Sequence, residues 1–494
     1  MRYLIGLDLG TTAIKAAIFD ESLRKIHSAT REYTLISNAE FEVEQDVNVY
    51  WSAIVDALNE VAATVNRQDI LSLSVSAQGE TMVFLDGENR PVYNAIVWMD
   101  SRAKEETQIL DRRFSHTALA QITGQAEVIP LSPACKIMWF ERNHPELFQC
   151  VRKILLLEDW FFFQLTGAYW GEPSLWCSTH MLDIHTMKYN REMLAALNVT
   201  EEMLPKIVPS GTMLPPILPD VARVLGLPEN IALVMGGLDQ AMGAIGVGNV
   251  EPGMLSESTG AAMVIVSMTE KPVSDFSSGL SCFCSAIPDM YMIHAFSSGG
   301  IAYKWLRDAL CERVGGYKEM DRLAAAVEPG SSGLVVLPHF NGSGPPDSDP
   351  HARCVIYGLG LQHSLPHIIR AYLEGVAMSL CRMIEAIEEM GVSVKEVLSL
   401  SGGAESPLWC QIKADALNRP VVTMKNTDDA ACLGAAVLAG VGAGLWPSVQ
   451  KIARENAEVK QRYLPDATRH KAYAELLRKY KTLTNVLRDI NPIL

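Results

Sequence analysis

The sequence has no excess of basic residues. Its 42 lysines and arginines are outnumbered by 57 aspartates and glutamates, a formal net charge of −15. That argues against a nucleic-acid or anionic-membrane surface, although it leaves room for a local cationic phosphate pocket. Long apolar runs are also missing. The uncharged, largely apolar stretch 430–446 (AACLGAAVLAGVGAGLW) is short for a bilayer span, and its glycines and alanines read instead as a buried, closely packed helix. Ten cysteines are scattered along the chain, and only Cys282 and Cys284 lie together. No second pair completes a zinc set, so small buried thiols of a reducing compartment are expected. The N-terminus lacks a signal-peptide pattern, because Asp8 interrupts its apolar run and no small-residue cleavage site follows. A cytoplasmic protein is expected, without membrane or nucleic-acid partners.

What is present is a chain of 494 residues, 48% of them hydrophobic, enough for two large domains. Strand-like and helix-like stretches alternate, the mark of an α/β protein. The opening Gly6-Leu7-Asp8-Leu9-Gly10-Thr11-Thr12 lies in two apolar strands joined by a tight turn. Gly10 lets a ligand approach the main chain, and Thr11 and Thr12 offer hydroxyl and amide donors to phosphate oxygens. Asp8 projects where it could hold Mg²⁺, directly or through water. The same pattern also suits an ordinary hairpin with a polar turn. Lys15, just beyond, either neutralises phosphate charge or simply faces solvent from its strand.

A second segment, Met235-Gly236-Gly237-Leu238-Asp239-Gln240, runs from an apolar strand through two glycines into a helix-prone stretch. Ligand sites of α/β sheets gather at such strand ends, and a carboxylate there could take a proton from a substrate hydroxyl. A helix-capping aspartate is the plainer alternative. The hairpin has an echo at Leu255-Ser256-Glu257-Ser258-Thr259-Gly260-Ala261-Ala262, while Ile70–Ser74 is matched by Val397–Ser401. The two offsets differ, 250 and 327 residues, which fits two related domains with different insertions. The boundary is expected near 246–253, giving domains 1–246 and 247–494. The segment after Pro447 reads as charged and helical.

Taken in order, these motifs resemble the FGGY family of carbohydrate kinases over nearly the whole chain. Further matches are Ser76-Ala77-Gln78-Gly79-Glu80-Thr81, Trp98-Met99-Asp100-Ser101-Arg102, Lys136-Ile137-Met138-Trp139, Leu165-Thr166-Gly167, the stretch from Gly358-Leu359 to Glu374-Gly375, and Ser401-Gly402-Gly403-Ala404-Glu405. The resemblance implies an α/β fold of two actin-like (ribonuclease H-like) ATPase domains with an active-site cleft between them. It implies an enzyme that uses ATP and Mg²⁺ to phosphorylate a small sugar or polyol, a ketopentose or a four- to five-carbon polyol being favoured, and a homodimer at the level of the family. Asp239 would be the general base. Gln78, Glu80, Trp98, Asp239 and Gln240 would face the sugar. Asp8, Gly10, Thr11, Thr12, Lys15, Gly260, Ala261, Gly402, Gly403 and Ala404 would face the nucleotide, with Asp8 the metal ligand. Asp100 and Arg102 would pair to shape the sugar loop.

The chain also departs from the family. Gly79 stands where glycerol kinases carry arginine, and Leu131 falls near the site of a substrate-contacting tyrosine. Xylulose kinases carry Met-His where this chain has Gly79-Glu80. Ala261 and Ala262 replace two hydroxyl residues, at about 1 kcal/mol of nucleotide binding for each lost bond. Residues 341–346 (NGSGPP) lack a glutamate-arginine pair, and Glu172–Thr179 differs from the usual Asp-Tyr-Ser-x-Ala-Ser, with Trp176 read as core. The competing expectation is a nucleotide-binding sensor or pseudokinase of the same fold.

Overall fold

A computed structural model of the protein describes residues 1–273, 275–425 and 427–493. Two mixed sheets share one plan. In the first half, Tyr3–Leu9 pairs antiparallel with Ala13–Asp20, which pairs with Lys25–Glu32. Ile70–Ala77 lies parallel on the other side of Tyr3–Leu9, and the short strands Ala232–Leu233 and Gly237–Leu238 follow it. In the second half, Met254–Thr259 pairs antiparallel with Ala262–Thr269, then come Tyr291–Ser298 and Ser281–Cys284. Glu396–Leu400 lies parallel to Met254–Thr259, followed by Val421–Met424. The central strands are buried on both faces, as their near-continuous apolar runs require. The echo in the sequence is therefore a structural duplication. Gly10 N–H bonds the Ala13 carbonyl across its turn at 3.1 Å, and Gly260 N–H bonds the Ala262 carbonyl at 2.9 Å.

Two elements differ from the sequence reading. The strand at residue 70 continues to Ala77, because Leu73, Val75 and Ala77 stay in register with Tyr3–Leu9 as far as the Leu9–Ala77 pair. The segment after Pro447 is not wholly helical. Val459–Tyr463 forms a strand between the helices Val449–Asn456 and Ala467–Arg488. It pairs antiparallel with Val421–Met424 at the sheet's edge, where Lys460 and Arg462 suit an exposed rim.

The Ala430–Gly442 helix joins the halves. It packs on the Asp239–Gly246 helix and on the strands Tyr3–Leu9 and Ile70–Ala77. Small residues are needed there: a Cβ on Gly6 would overlap the Cys432 carbonyl, one on Gly246 the Ala430 carbonyl, and one on Gly434 the Met242 carbonyl. A second junction lies on the far side, where Cys282 N–H bonds the Gly124 carbonyl at 2.7 Å and Cys284 N–H meets Cys177 Sγ at 3.3 Å. Among the described residues no helix is long and apolar enough to cross a membrane.

The main-chain overlap at Gly434 leaves no rotamer that relieves it. Gly434→Val should therefore lower the free energy of urea unfolding by ~3 kcal/mol or more, at or beyond the usual range for overpacking. Gly243→Ala on the facing helix, where a Cβ meets nothing within 4 Å, should be neutral or stabilising by up to ~1 kcal/mol. Equal losses for the two would remove the close contact as the cause.

Candidate active site

The two halves meet over a cleft of about 250 Å³. Asp8, Asp239, Gln240, Gly243 and Ala244 line it from one side. Ser256, Ser258, Val264, Val266, Leu400 and Ser401 line it from the other, with Thr427, Asp428, Ala430 and Ala431 at its end. The sequence reading brought Asp8, Asp239 and Gln240 here and missed the serines. Their signal was the alternation Ser256-Glu257-Ser258, which puts both hydroxyls on the cleft face and Glu257 on the other.

Asp8 is the last residue but one of the first strand, opposite Lys15 on one side and Ser76 on the other. Its carboxylate accepts the Ser76 hydroxyl at 2.8 Å. Burial pushes the Asp8 carboxyl above its usual range, against that bond and the Lys15 charge. Asp239 is the first residue of its helix, directly after the strand Gly237–Leu238. Its Oδ1 accepts the Gln240 N–H at 2.6 Å, a local cap-like bond. Burial, and then the Asp8 carboxylate, push the Asp239 carboxyl up to about 7, with Gln240 opposing and Glu80 adding a smaller push.

The loop that carries Gln78, Glu80 and Trp98 is tied to the first hairpin. Trp98 donates its indole N–H to Thr11 Oγ1 at 2.8 Å, which leaves the Thr11 hydroxyl proton uncommitted, and the Thr12 side chain is exposed at the hairpin tip. Gln78 is buried and spends its amide on the Gly10 carbonyl (3.0 Å) and the Thr81 hydroxyl (3.0 Å), so it positions the loop. Tyr33, unnoticed in the sequence, gives its hydroxyl proton to the same Gly10 carbonyl. Glu80 sits at φ 61°, in the left-handed region that disfavours an ordinary side chain by roughly 1–2 kcal/mol. Beneath it the fully buried Lys136 donates to the carbonyls of Val97 (2.9 Å) and Trp98 (2.8 Å). Burial lowers the Lys136 ammonium to about 8, against the nearby Glu80 and Asp100. Arg102 forks onto Asp100 at 2.6–3.0 Å and reaches Glu44 at 2.8 Å, an internal brace for this loop.

Lys15 does not face solvent. It pairs with the Asp429 carboxylate and donates to the Asp428 carbonyl at 3.0 Å, tying the first hairpin to the start of the Ala430–Gly442 helix. Lys25 shares Asp429. Gly260 and Ala261 are exposed at the tip of the second hairpin, where the Gly260 N–H is already committed to Ala262. Gly402, Gly403 and Ala404 lie in the turn Ser401–Glu405. Gly403 packs against Thr259, and Ser401 Oγ meets Ser258 Oγ at 2.7 Å. Under this turn a buried Lys413–Glu257 ion pair (2.7 Å) is joined by the Ser399 hydroxyl at 2.8 Å.

The donor set suits a magnesium nucleotide. Asp8 offers a hard oxygen beside a second carboxylate whose proton affinity it raises, a repulsion that a divalent cation relieves. Among the described residues no cluster of three or more metal-ligating side chains could hold an ion by itself. That fits Mg²⁺, which keeps waters and phosphate oxygens as ligands.

The N-terminal-domain model of the FGGY family of carbohydrate kinases matches residues 3–246, and the C-terminal-domain model matches residues 258–443. The xylulose kinase of Bacillus subtilis (strain 168) is 29% identical over 497 residues, covering 100% of this chain and 99% of that protein. The gluconokinase of Bacillus licheniformis is 25% identical over 497 residues, covering 99% of this chain and 96% of that protein. The crystal structure of ligand-bound xylulose kinase from Lactobacillus acidophilus superposes with a TM-score of 0.92 at 25% identity, over 99% of this chain and 98% of that one. Gluconate kinase from the same organism gives 0.92 and 25%, with the same coverage.

The raised Asp239 value links to stability. A carboxyl whose folded-state value lies near 7 favours the folded state below about pH 4 and loses that contribution as pH rises through 7. Asp239→Asn keeps the shape and can still accept the Gln240 N–H. At pH 8 it should stabilise the nucleotide-free protein by up to ~4 kcal/mol, at about 1.36 kcal/mol per unit, and the gain should vanish near pH 4. Urea unfolding of both proteins at the two pH values checks this, and equal stability at pH 8 would put the carboxyl in an ordinary environment.

Proposed function

The chain belongs to the FGGY family of carbohydrate kinases, and from that premise we propose that it transfers the γ-phosphoryl group of ATP to one hydroxyl of a neutral ketopentose or four- to five-carbon polyol, with Asp239 as the general base. The observation that carries this reading is the Asp239 carboxyl itself. It opens into the cleft at a strand-to-helix junction and is tuned to about 7, where a base is both ionised and basic at neutral pH.

In this reading Asp239 takes the proton of the acceptor hydroxyl as its oxygen bonds to phosphorus and the bond to the ADP oxygen breaks. Thr11 and Thr12 donate to the γ-phosphate from one hairpin tip, and the Gly260–Ala261 tip meets the phosphates from the other. The Gly402–Ala404 turn holds the ribose end. Fixed main-chain and hydroxyl donors suit this task because they need no reorganisation during the reaction. Mg²⁺ held at Asp8 would neutralise phosphate charge. With Lys15 paired to Asp429, its charge acts on the phosphates only as half of that pair. Closing the halves over the sugar excludes water, so that the sugar accepts the phosphoryl group.

The relatives' names divide between xylulose and gluconate. Charge favours the neutral acceptor here. Asp8 and Glu80 both push the Asp239 carboxyl up, and the nearby Lys136 ammonium is buried and spent on two carbonyls. A substrate carboxylate would enter as a further like charge in a low-dielectric cleft.

ADP release from Mg·ATP over a panel of ketoses, aldoses, polyols and sugar acids tests the assignment. One neutral substrate should raise turnover far above background, while gluconate stays near it. Turnover with gluconate matching the best neutral sugar would overturn the charge argument, and a flat panel with intact ATP binding would favour the sensor reading. Asp239→Asn should keep nucleotide affinity and lose phosphoryl transfer by about 10²–10⁴-fold. Glu80→Ala should raise the sugar KM with little change in the ATP KM, and an unchanged sugar dependence would remove Glu80 from the pocket.

A further inference from the structure

We propose that Glu172 and Ser174 are positioning residues for Asp239, acting through the Leu238 amide; the inference rests on the reading of Asp239 as the general base. The segment Glu172–Thr179 lies behind the strand-to-helix junction that carries Asp239. Glu172 is fully buried and caps the one-turn helix Pro173–Trp176. Its carboxylate accepts four donors: Ser174 N–H at 2.7 Å, Leu175 N–H at 2.6 Å, and the hydroxyls of Ser174 and Ser210, both at 2.8 Å. With its proton given to Glu172, Ser174 Oγ has a lone pair to present, and it accepts the Leu238 N–H at 2.9 Å.

Leu238 immediately precedes Asp239 and ends the strand that pairs with Ser76–Ala77. The bond therefore fixes the peptide from which the Asp239 helix starts. Gly237 beside it is equally confined. A Cβ there would come within 2.9 Å of Ser174 Oγ and 3.0 Å of Ala286 Cβ and Met242 Cε. Four converging donors require a carboxylate, because an amide in its place would turn one of its two ends from acceptor to donor. Burial raises all three neighbouring carboxyls, Glu158, Asp159 and Glu172. Glu172 is the one on which four donors converge to oppose that push, where Asp159 accepts two, from Leu156 N–H and the Trp176 indole. A base that must meet its proton within hydrogen-bond reach depends on such support, since small misplacements lower the chemical step without loosening the substrate.

Ser210 supplies the control. It gives Glu172 a hydroxyl bond of the same length as Ser174 does, and it does not join the path to Leu238. Steady-state kinetics with Mg·ATP and the panel sugar of highest turnover, D-xylulose tried first, are measured for Ser174→Ala, Ser210→Ala, Glu172→Gln and Asp239→Asn. Ser174→Ala should lower kcat about tenfold or more with both KM values within about twofold. Ser210→Ala should keep kcat within about twofold. If Ser174→Ala and Ser210→Ala lower the melting temperature alike and leave kcat alone, the pair is merely structural and the proposal fails. Should Glu172→Gln not fold, the Ser174–Ser210 comparison still decides. Retained turnover in Asp239→Asn would instead overturn the base assignment, and is distinguishable because it leaves the Ser174 result without a base to position.

Discussion

The cleft depends on one steric constraint, the approach of the Ala430–Gly442 helix to the first strand and to the Asp239–Gly246 helix. Main-chain carbonyls stand where side chains would begin, at Gly6, Gly246 and Gly434. Such a contact is held by dispersion between closely packed atoms and tolerates no added methyl. It belongs to both halves, so it sets how they face each other across the cleft. Asp428, Ala430 and Ala431, at the start of this helix, line the cleft, and Asp429 between them takes two lysines from the first sheet. One of these, Lys15, stands opposite Asp8 in register. The geometry of the hairpin tip and the floor of the cleft are thus consequences of the same contact.

On that frame the chain assembles charges that repel. Asp8 and Asp239 share the cleft, and Glu80 joins them from a left-handed backbone position. Three more buried acids, Glu158, Asp159 and Glu172, lie behind the Asp239 strand. A fold selected for stability alone would not collect them. The surrounding core over-determines their placement, which is how strain persists at working sites. Paired charges elsewhere do the opposite job. Arg102 with Asp100 and Glu44, and Lys413 with Glu257, brace the loop that carries Glu80 and Trp98 and the Ser401–Glu405 turn from beneath.

Much of this was legible in the sequence. The hairpin, the Asp239 segment and the small-residue helix each carry a local pattern that dictates local structure, and the structure holds all three. Their order along the chain was enough to suggest the family to which the chain belongs. What escaped depends on contacts between distant residues. Lys15 could not be told from a solvent-facing lysine because its partner lies 413–414 residues away, after the second sheet. Gln78 was expected to face the sugar, and its amide is instead bonded to the Gly10 carbonyl and the Thr81 hydroxyl. The edge strand Val459–Tyr463 was hidden by charges that favour a helix in isolation and an exposed rim in the sheet. The serines of the second hairpin were in view, but without the register of Met254–Thr259 nothing said which face they lined.

The duplication explains why one frame can hold both reactants. Each half closes its central hairpin at a glycine whose N–H bonds a carbonyl beyond it, Ala13 three residues on in the first and Ala262 two residues on in the second, so the second turn is one residue shorter. The residue two before that glycine differs, Asp8 in the first half and Ser258 in the second. Across from it stands Lys15 in one hairpin and Val264 in the other. The first half thus presents acid to the cleft, and the second presents hydroxyls and small apolar surface, with its own carboxylate, Glu257, turned inward onto Lys413. A polyphosphate laid between them meets repulsion on one wall unless a cation intervenes, and meets no carboxylate from the hairpin on the other. The proposed metal ligand belongs on the acid wall, beside the proposed Thr11 and Thr12 donors, and the neutral wall adds no like charge to the phosphates. The asymmetry arises from side-chain choice at equivalent backbone positions, and the fold itself is indifferent to it.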